Sequence, residues 1–455
     1  MTTPGRVVVT GASGNVGTGV LRELARQLPE THVIGVCRRP PEHGEVYERV
    51  HWHAVDLSCP DAAAQLTSVM RDADVVIHLA LAVQPVRDED YLYRANVLGS
   101  AAVFEAMVAA GVGQLVYASS LGIYAPGASA PVTEEWPDTG QATSTYSRHK
   151  VMVERILDDF VNEHRDVVVA RFRPTVVVQR EAAWLIKTLY LGPLVPQAAL
   201  EMLRRRRLPI LPLPAGVELQ FVHADDVGDL VVRLMRQRAR GSFNVAADVL
   251  NADALARLVG ARAVAISPRV VRAVISALSA ARLIALTPGW YDVATNTPLM
   301  DTSKARREVG WAPKHSSTVS ARELIEGMAD ETVGASAAMG YTSRRDKVLR
   351  TTVDRVHDVS LVSWSLLTVG RAAGIRRAGL VDGVVVAANL VSGTPMALDR
   401  MLESRRDPVA LLAPVTVVAA LAATVRGGWT PVVATAALHL LNAMERKRRK
   451  TKPRL

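Results

Sequence analysis

The sequence predicts an α/β fold: a doubly wound parallel sheet with a smaller second lobe and a mainly helical C-terminal extension. Three observations carry this. Five short Val/Ile-rich runs, RVVVT (6–10), HVIGV (32–36), DVVIHLA (74–80), QLVYASS (114–120) and DVVVARF (166–172), alternate with longer amphipathic stretches such as 17–27 and 97–110. A run of that kind reads as a strand buried on both faces, and strands alternating with helices form a parallel sheet. A Gly-rich turn directly follows the first run. The composition, 49% apolar and 22% charged, supplies a sizeable core and excludes a disordered or fibrous chain.

The 455 residues divide by pattern. Residues 1–175 carry the alternating strands and helices. Residues 176–330 are less regular, with helices, the short strands LQFVH and SFNVA, and Pro-marked turns, and read as a second lobe. Residues 331–345 lack an apolar period and read as a linker. Residues 346–455 form the extension. The formal charge of +10 is mostly a tail, because the last ten residues hold seven Lys or Arg and the remainder is +3. The internal run Arg204, Arg205, Arg206 and Arg207 reads as a solvated helix face, and no nucleic-acid motif accompanies it. Two cysteines, Cys37 and Cys59, exclude a disulfide scaffold and a four-thiolate metal site. His51 and His53 flank Trp52 without a supporting carboxylate or Cys cluster, so no metal is expected. No charged segment followed by an apolar run opens the chain, so no leader is expected and the cytoplasm is the natural compartment.

The first strand runs into Thr10-Gly11-Ala12-Ser13-Gly14-Asn15-Val16-Gly17. Strand, glycine turn and helix together suit a pyrophosphate: glycines let the backbone approach the phosphates, and the N–H groups at a helix start favour an anion. The spacing is G-x-x-G-x-x-G. At the end of the second strand an acid would hydrogen-bond the ribose of NAD. The chain instead has Val36-Cys37-Arg38-Arg39, which offers guanidinium to a 2′-phosphate. NADP(H) is therefore favoured, with NAD(H) left open. Asp56 is a candidate for the adenine edge, and Cys37 for the wall of the adenosine pocket.

Tyr146 and Lys150 are four residues apart and share a face if helical. A phenol titrates near pH 10 and serves acid–base chemistry at neutral pH only when its phenolate is stabilised. An ammonium one turn away does that. Ser120 closes the fourth run, at the carboxyl edge of the sheet where ligands bind, and its hydroxyl is suited to hold a carbonyl oxygen.

With these residues in view, the chain resembles the extended short-chain dehydrogenase/reductase family, the NAD-dependent epimerase/dehydratase group, over about residues 5–330. TGASGNVG is similar to the family's cofactor loop and DADVVIHLA to its fourth-strand segment. Asn96-Val97-Leu98-Gly99 resembles the helix element bearing a structural Asn, and VYASSLGIYA the Ser-bearing segment. FVHADDVGDL and DTSKARREVGWAPK look like its late landmarks. The resemblance implies a Rossmann-like nucleotide domain, a substrate lobe and an enzyme. It implies Tyr146 as acid–base residue, Lys150 as ribose ligand that lowers the Tyr pKa, and Ser120 as substrate-orienting residue. The implied cofactor set is Gly11, Ser13, Gly14, Asn15, Val16, Gly17, Arg38, Asp56, Leu57, Leu79, Ala80, Leu81 and Asn96, with Tyr146 and Lys150. His223 beside Asp225 and Asp226 is read as structural.

Two departures bear on substrate. Nucleotide-sugar members usually carry an Asn after the Arg of the fifth-strand segment, where this chain reads Arg171-Phe172-Arg173-Pro174-Thr175. They often carry an Arg just before the late His-bearing strand, where this chain reads Val217-Glu218-Leu219-Gln220-Phe221-Val222-His223. The lobe is also apolar. The leading expectation is therefore an NADP(H) oxidoreductase acting on a carbonyl or secondary alcohol of a small, fairly apolar molecule. The first alternative is an NAD-dependent epimerase or dehydratase of nucleotide sugars. A non-catalytic NADP-binding sensor or scaffold is the second, and intact Ser120, Tyr146 and Lys150 argue against it. The partners expected are a small-molecule substrate and no nucleic acid, and a homodimer is compatible with the family.

Residues 408–425 and 427–444, apart from Arg426 between them, are two uncharged runs of 18. As helices each would rise about 27 Å, close to the hydrocarbon thickness of a bilayer. Basic residues at both outer ends fit a hairpin whose ends stay on the cytoplasmic face. Pro414 and Pro431 and the Ala-rich composition fit a soluble helical pair with a basic tail. Both readings of 408–455 stand at this point.

Overall fold

The structure is a computed structural model and describes residues 4–83, 88–191, 197–280, 284 and 286–341. The expected extension, with both uncharged runs, lies outside the described residues. Among the described residues no helix is long and apolar enough to cross a membrane.

The five runs form strands β1 (Arg6–Thr10), β2 (His32–Cys37), β4 (Val75–His78), β5 (Gln114–Ala118) and β6 (Val168–Pro174), with β3 (Val50–Ala54) between β2 and β4. They lie in one parallel sheet of seven strands, ordered β10-β6-β5-β4-β1-β2-β3. Its last member is β10 (Gly241–Val245), the SFNVA segment. The strand order reverses at β1, between β2 and β4, and the crevice at that reversal is where α/β sheets bind ligands. Both faces are covered. Val20, Leu21 and Leu24 pack on one side with Val227, Leu230 and Leu234. Leu66, Phe104, Met107, Leu157 and Phe160 cover the other. Double coverage explains why the strands are continuous apolar runs rather than alternating ones.

The structure corrects the boundary at residue 175. The helix Ala224–Arg236 and β10 belong to the nucleotide-binding sheet, not to the second lobe. That helix packs against the first helix, Asn15–Gln27, backbone on backbone. A Cβ at Gly19 would sit 2.2 Å from the Ala224 carbonyl oxygen, and one at Gly228 would sit 2.4 Å from the Gly19 carbonyl oxygen. The lobe proper carries β7 (Val176–Val178), β8 (Ile210–Pro214), β9 (Glu218–His223), β11 (Val249–Asn251) and β12 (Arg262–Ile266), in a three-stranded sheet β11-β9-β7 and a two-stranded parallel ribbon β12-β8.

The expected linker is corrected as well. Up to Tyr341 it belongs to the same compact unit as the sheet. Ser336 and Met339 are fully buried, and the Ser336 hydroxyl donates to the Ser13 carbonyl at 2.5 Å. Hydrogen bonds and small buried residues hold this stretch, so no apolar period announces it.

Candidate active site

The glycine loop shows why those positions are glycine. Gly11 has φ +72°, and a Cβ there would lie 2.7 Å from the Ala80 backbone. A Cβ at Gly17 would lie 2.4 Å from the Ala12 carbonyl oxygen. The turns after β1 and β4 thus touch, backbone to backbone. The helix that follows starts at Asn15 behind Gly14, with no capping side chain and no acid in its first turn. Its first N–H groups and positive dipole end are available to an anion. These features fit a dinucleotide pyrophosphate.

Around this loop the remaining residues separate by role. Ser13 is buried and its side chain hydrogen-bonds Cys37, whose thiol pKa is raised by burial against that bond. Val16 packs on the core below the loop. Arg38 is exposed just past β2, donates to the Tyr91 hydroxyl and lies 5.9 Å over that ring. Asp56 accepts from the Ser58 N–H at 2.9 Å and hydroxyl at 2.8 Å. Leu57 packs on Gly99, where a Cβ would be 2.8 Å away. Leu79 donates its N–H to the Thr10 carbonyl at 3.0 Å, and Leu81 is 39% exposed.

Two members of the expected cofactor set face elsewhere. The Asn15 amide donates to the Val177 carbonyl at 2.8 Å and accepts from Gln179 at 2.7 Å, so it ties the loop to the lobe. Asn96 is buried and brackets one residue, accepting from the Ala82 N–H at 2.7 Å and donating to its carbonyl at 2.9 Å. Its amide holds the loop after β4 rather than being presented to a ligand.

Ser120, Tyr146 and Lys150 come together at the carboxyl end of β5. The helix Thr145–Glu163 begins with Ser144 as its cap. It is pinned by Ser147, whose hydroxyl donates to the Gly122 carbonyl at 2.6 Å. Tyr146 in its first turn hydrogen-bonds the Ser120 side chain, and Ser120 also accepts from the Gly122 N–H at 2.9 Å. A Cβ at Gly122 would lie 3.2 Å from the Tyr146 ring. One turn on, Lys150 donates to the Ala118 carbonyl at 2.6 Å and to the Tyr117 hydroxyl at 3.3 Å.

Burial dominates the electrostatics here. It pushes the Tyr146 phenol up to about 12, opposed by the Ser120 hydrogen bond. It pushes the Lys150 ammonium down to about 7, opposed by the charge of Glu154. Glu154 sits one further turn along and is nearly fully buried between Arg171 at 2.7 Å and Arg173 at 3.0 Å. Burial alone would raise its pKa, but the two guanidiniums outweigh that and hold it down at about 2.

Two aromatic residues that no motif marks complete the site. Trp290 stacks on the Tyr146 ring, with centroids 4.5 Å apart and planes 25° apart, and Tyr190 meets Trp290 edge-on at 5.8 Å. Trp290 lies in the helix Pro288–Asn296. That helix is anchored by Asp292, which accepts from Thr143 at 2.7 Å and from Arg272 at 2.8 and 2.9 Å. A Cβ at Gly289 would lie 2.4 Å from the Thr143 carbonyl, so this helix abuts the loop before Tyr146.

The other residues of interest are structural. Gln220 bonds the Met300 N–H at 2.8 Å and the Met300 and Ala247 carbonyls at 3.1 and 3.3 Å. Arg204 and Arg205 pair with Glu201 on an exposed helix end. His223 caps the helix Ala224–Arg236, with Nε2 3.2 Å from Glu323. His51 and His53 are exposed. Among the described residues no group of His, Cys, Asp or Glu could hold a metal ion.

A parallel sheet with a glycine cradle at its switch point and a Ser, Tyr and Lys cluster beside it defines a dinucleotide-dependent α/β enzyme. Residues 7–246 match the model of the NAD dependent epimerase/dehydratase family, and the chain belongs to that family, of the extended short-chain dehydrogenase/reductase type. A UDP-glucose 4-epimerase of Yersinia enterocolitica is 28% identical over 37% of this chain and 52% of its own. One of Yersinia pestis is 30% identical over 50% of this chain and 73% of its own. The match thus spans about half the length of the first of these relatives. Among solved structures, a UDP-glucose-4-epimerase from Stenotrophomonas maltophila with bound NAD and formylated UDP-arabinopyranose superposes with a TM-score of 0.55. It is 22% identical, over 72% of this chain and 98% of that one. A UDP-glucose 4-epimerase from Thermotoga maritima with UDP-glucose gives 0.53 at 18% identity, over 72% and 99%. At these identities the superpositions establish the fold.

Proposed function

We propose that this enzyme performs redox chemistry at a carbinol carbon of a nucleotide-linked sugar, as an epimerase or dehydratase with a retained dinucleotide. The observation that carries the reading is the convergence of Ser120, Tyr146 and Lys150 beside the Gly11–Ala80 contact. The family supports it, and so do relatives that are UDP-glucose 4-epimerases. A bound dinucleotide would supply the hydride chemistry at its nicotinamide. Gly11, Gly14 and Gly17 leave room for the pyrophosphate, and the helix start at Asn15 binds it. Tyr146 takes the proton of the substrate hydroxyl at its phenolate oxygen and gives it back. Lys150 stabilises that phenolate, and the Ala118 carbonyl orients the ammonium. Ser120 holds the substrate oxygen.

The test is incubation of the purified full chain with UDP-glucose, following the sugar by NMR and the dinucleotide released on denaturation. Conversion at a sugar carbon with dinucleotide already bound supports the reading. No conversion, with NADPH exchanging freely and consumed against a ketone, overturns it in favour of a second reading.

That second reading is net reduction or oxidation of a fairly apolar molecule. It is favoured by the aromatic cover that Trp290 and Tyr190 place over Tyr146, and by the absorption of Gln220 into structure. Under either reading, Trp290→Ala is expected to raise KM about 10-fold while changing kcat less, since stacking and burial by an aromatic face contribute about that much affinity. Steady-state kinetics check this; an unchanged KM removes Trp290 from the substrate wall.

For the cofactor we propose a preference for the 2′-phosphorylated form, with Arg38 as its ligand and Tyr91 holding the guanidinium. Arg38→Ala is expected to weaken NADPH by about 10–150-fold, the scale of one charge-assisted hydrogen bond, and to leave NADH unchanged. Titration calorimetry of both forms checks this. Equal affinities in the unmodified chain exclude the preference.

A further inference from the structure

The helix Pro268–Ala280 is apolar around most of its circumference, and among the described residues the fold covers one side of it. Ile275 is buried, with Val271 and Leu278 half-buried beside it. Val270, Ala273, Val274 and Ala277 fall on the other side at spacings of 3, 4 and 7, and all four are exposed, Val270 by 53% and Val274 by 52%. A soluble helix ordinarily turns charge to water on that face. Here the stripe runs along a helix of 13 residues, about 20 Å long. One residue, Ser267, joins the helix to the β8–β12 ribbon. In that ribbon Pro212 pairs with Val264 and Ile210 with Arg262. Ile210 is 53% exposed and Val264 42%.

The charge around these elements is mostly basic, with Glu201, Glu218 and Asp253 bordering the two stretches. Residues 202–217 and 254–280 contain eight Arg and no Asp or Glu. Arg204 and Arg205 are neutralised by Glu201, and Arg272 by Asp292. Among the described residues Arg206, Arg207, Arg257, Arg262 and Arg269 are exposed and have no carboxylate partner. On the helix Pro268–Ala280 the exposed apolar side chains are Val and Ala, without the Trp or Tyr anchors that protein interfaces concentrate.

From this combination we infer that the lobe docks on an anionic lipid surface, with Val270 and Val274 entering the interface and the unpaired arginines contacting headgroups. Amphipathic helices lie in bilayer interfaces by this pairing of apolar area with basic charge. The inference concerns a surface distinct from the Tyr146 site and does not depend on which substrate that site takes.

The experiment uses the full chain carrying Cys59→Ser, with an environment-sensitive fluorophore attached at Val274→Cys or, as a control, at Val319→Cys. Vesicles are phosphatidylcholine alone or mixed equally with phosphatidylglycerol, each with and without brominated acyl chains. The expected result is a blue shift and bromine quenching at position 274 with the anionic vesicles only, and neither at 319. Val270→Glu with Val274→Glu is expected to weaken binding to the anionic vesicles about 10-fold or more, the scale of losing two buried valines. Binding that leaves the probe at 274 unchanged assigns the contact to another part of the chain and overturns the inference. So does a response equal on neutral vesicles, or no binding at all. A blue shift that grows with protein concentration without vesicles overturns it in favour of a second copy covering the helix.

Discussion

Tyr146→Phe is expected to lower turnover by about 100-fold or more while leaving dinucleotide affinity nearly unchanged. Positioned acid–base catalysis contributes on that scale, and the substitution removes only the hydroxyl. The ring stays stacked under Trp290 and against Gly122, so the fold is not disturbed. Burial keeps the phenol at about 12 and Lys150 near 7. A phenol at that value carries its proton at neutral pH, so it takes the substrate's proton only when the lysine ammonium stabilises its phenolate. Rapid-quench turnover with matched dinucleotide titrations checks this. Unmodified rates in the variant would falsify the assignment of Tyr146.

The largest stability effect is expected at Glu154, four residues and one helical turn beyond Lys150. Glu154→Gln should destabilise the chain by about 3–5 kcal/mol, because it takes the buried carboxylate from Arg173, which keeps only Asp138 at 3.9 Å, while Arg171 retains Asp158 at 2.7 Å. The pH dependence follows. The carboxyl is held at about 2, below its ordinary 4.5. Its contribution is therefore fully present above about pH 4.5 and is lost as pH falls through 2. The unmodified chain should lose stability over that interval, and the variant should lack this limb of the curve. The same change removes the charge that keeps Lys150 protonated, so the lysine should titrate still lower. Urea midpoints measured between pH 3 and 8 check the stability; equal midpoints at neutral pH refute it.

Those two residues show what could and could not be read from the chain. Tyr146 and Lys150 were legible because a helix converts a spacing of four into a shared face, and Gly11 and Gly17 because a sterically crowded turn admits nothing larger there. The strands were legible because burial on both faces leaves unbroken apolar runs. Glu154 was not, since its meaning depends on Arg171 and Arg173 arriving from β6. Trp290 and Tyr190 belong to no spacing pattern and meet Tyr146 only through tertiary packing. The directions of the Asn15 and Asn96 amides depend on partners, Val177, Gln179 and Ala82, that spacing does not reveal. The boundary at 175 failed because β10 returns to the sheet after the lobe has begun, and a local pattern carries no record of which sheet a strand joins.

The bond between Ser336 and Ser13 joins residues separated by 323 positions. During vectorial synthesis a ribosome adds about 5–20 residues per second, so roughly 15–65 s pass between the emergence of the glycine loop and the arrival of the serine that closes on it. Throughout that interval the nascent chain has its phosphate-binding turn without the segment that backs it. Any folding step that needs this bond therefore waits for Ser336 to emerge and is not completed when the glycine loop first appears.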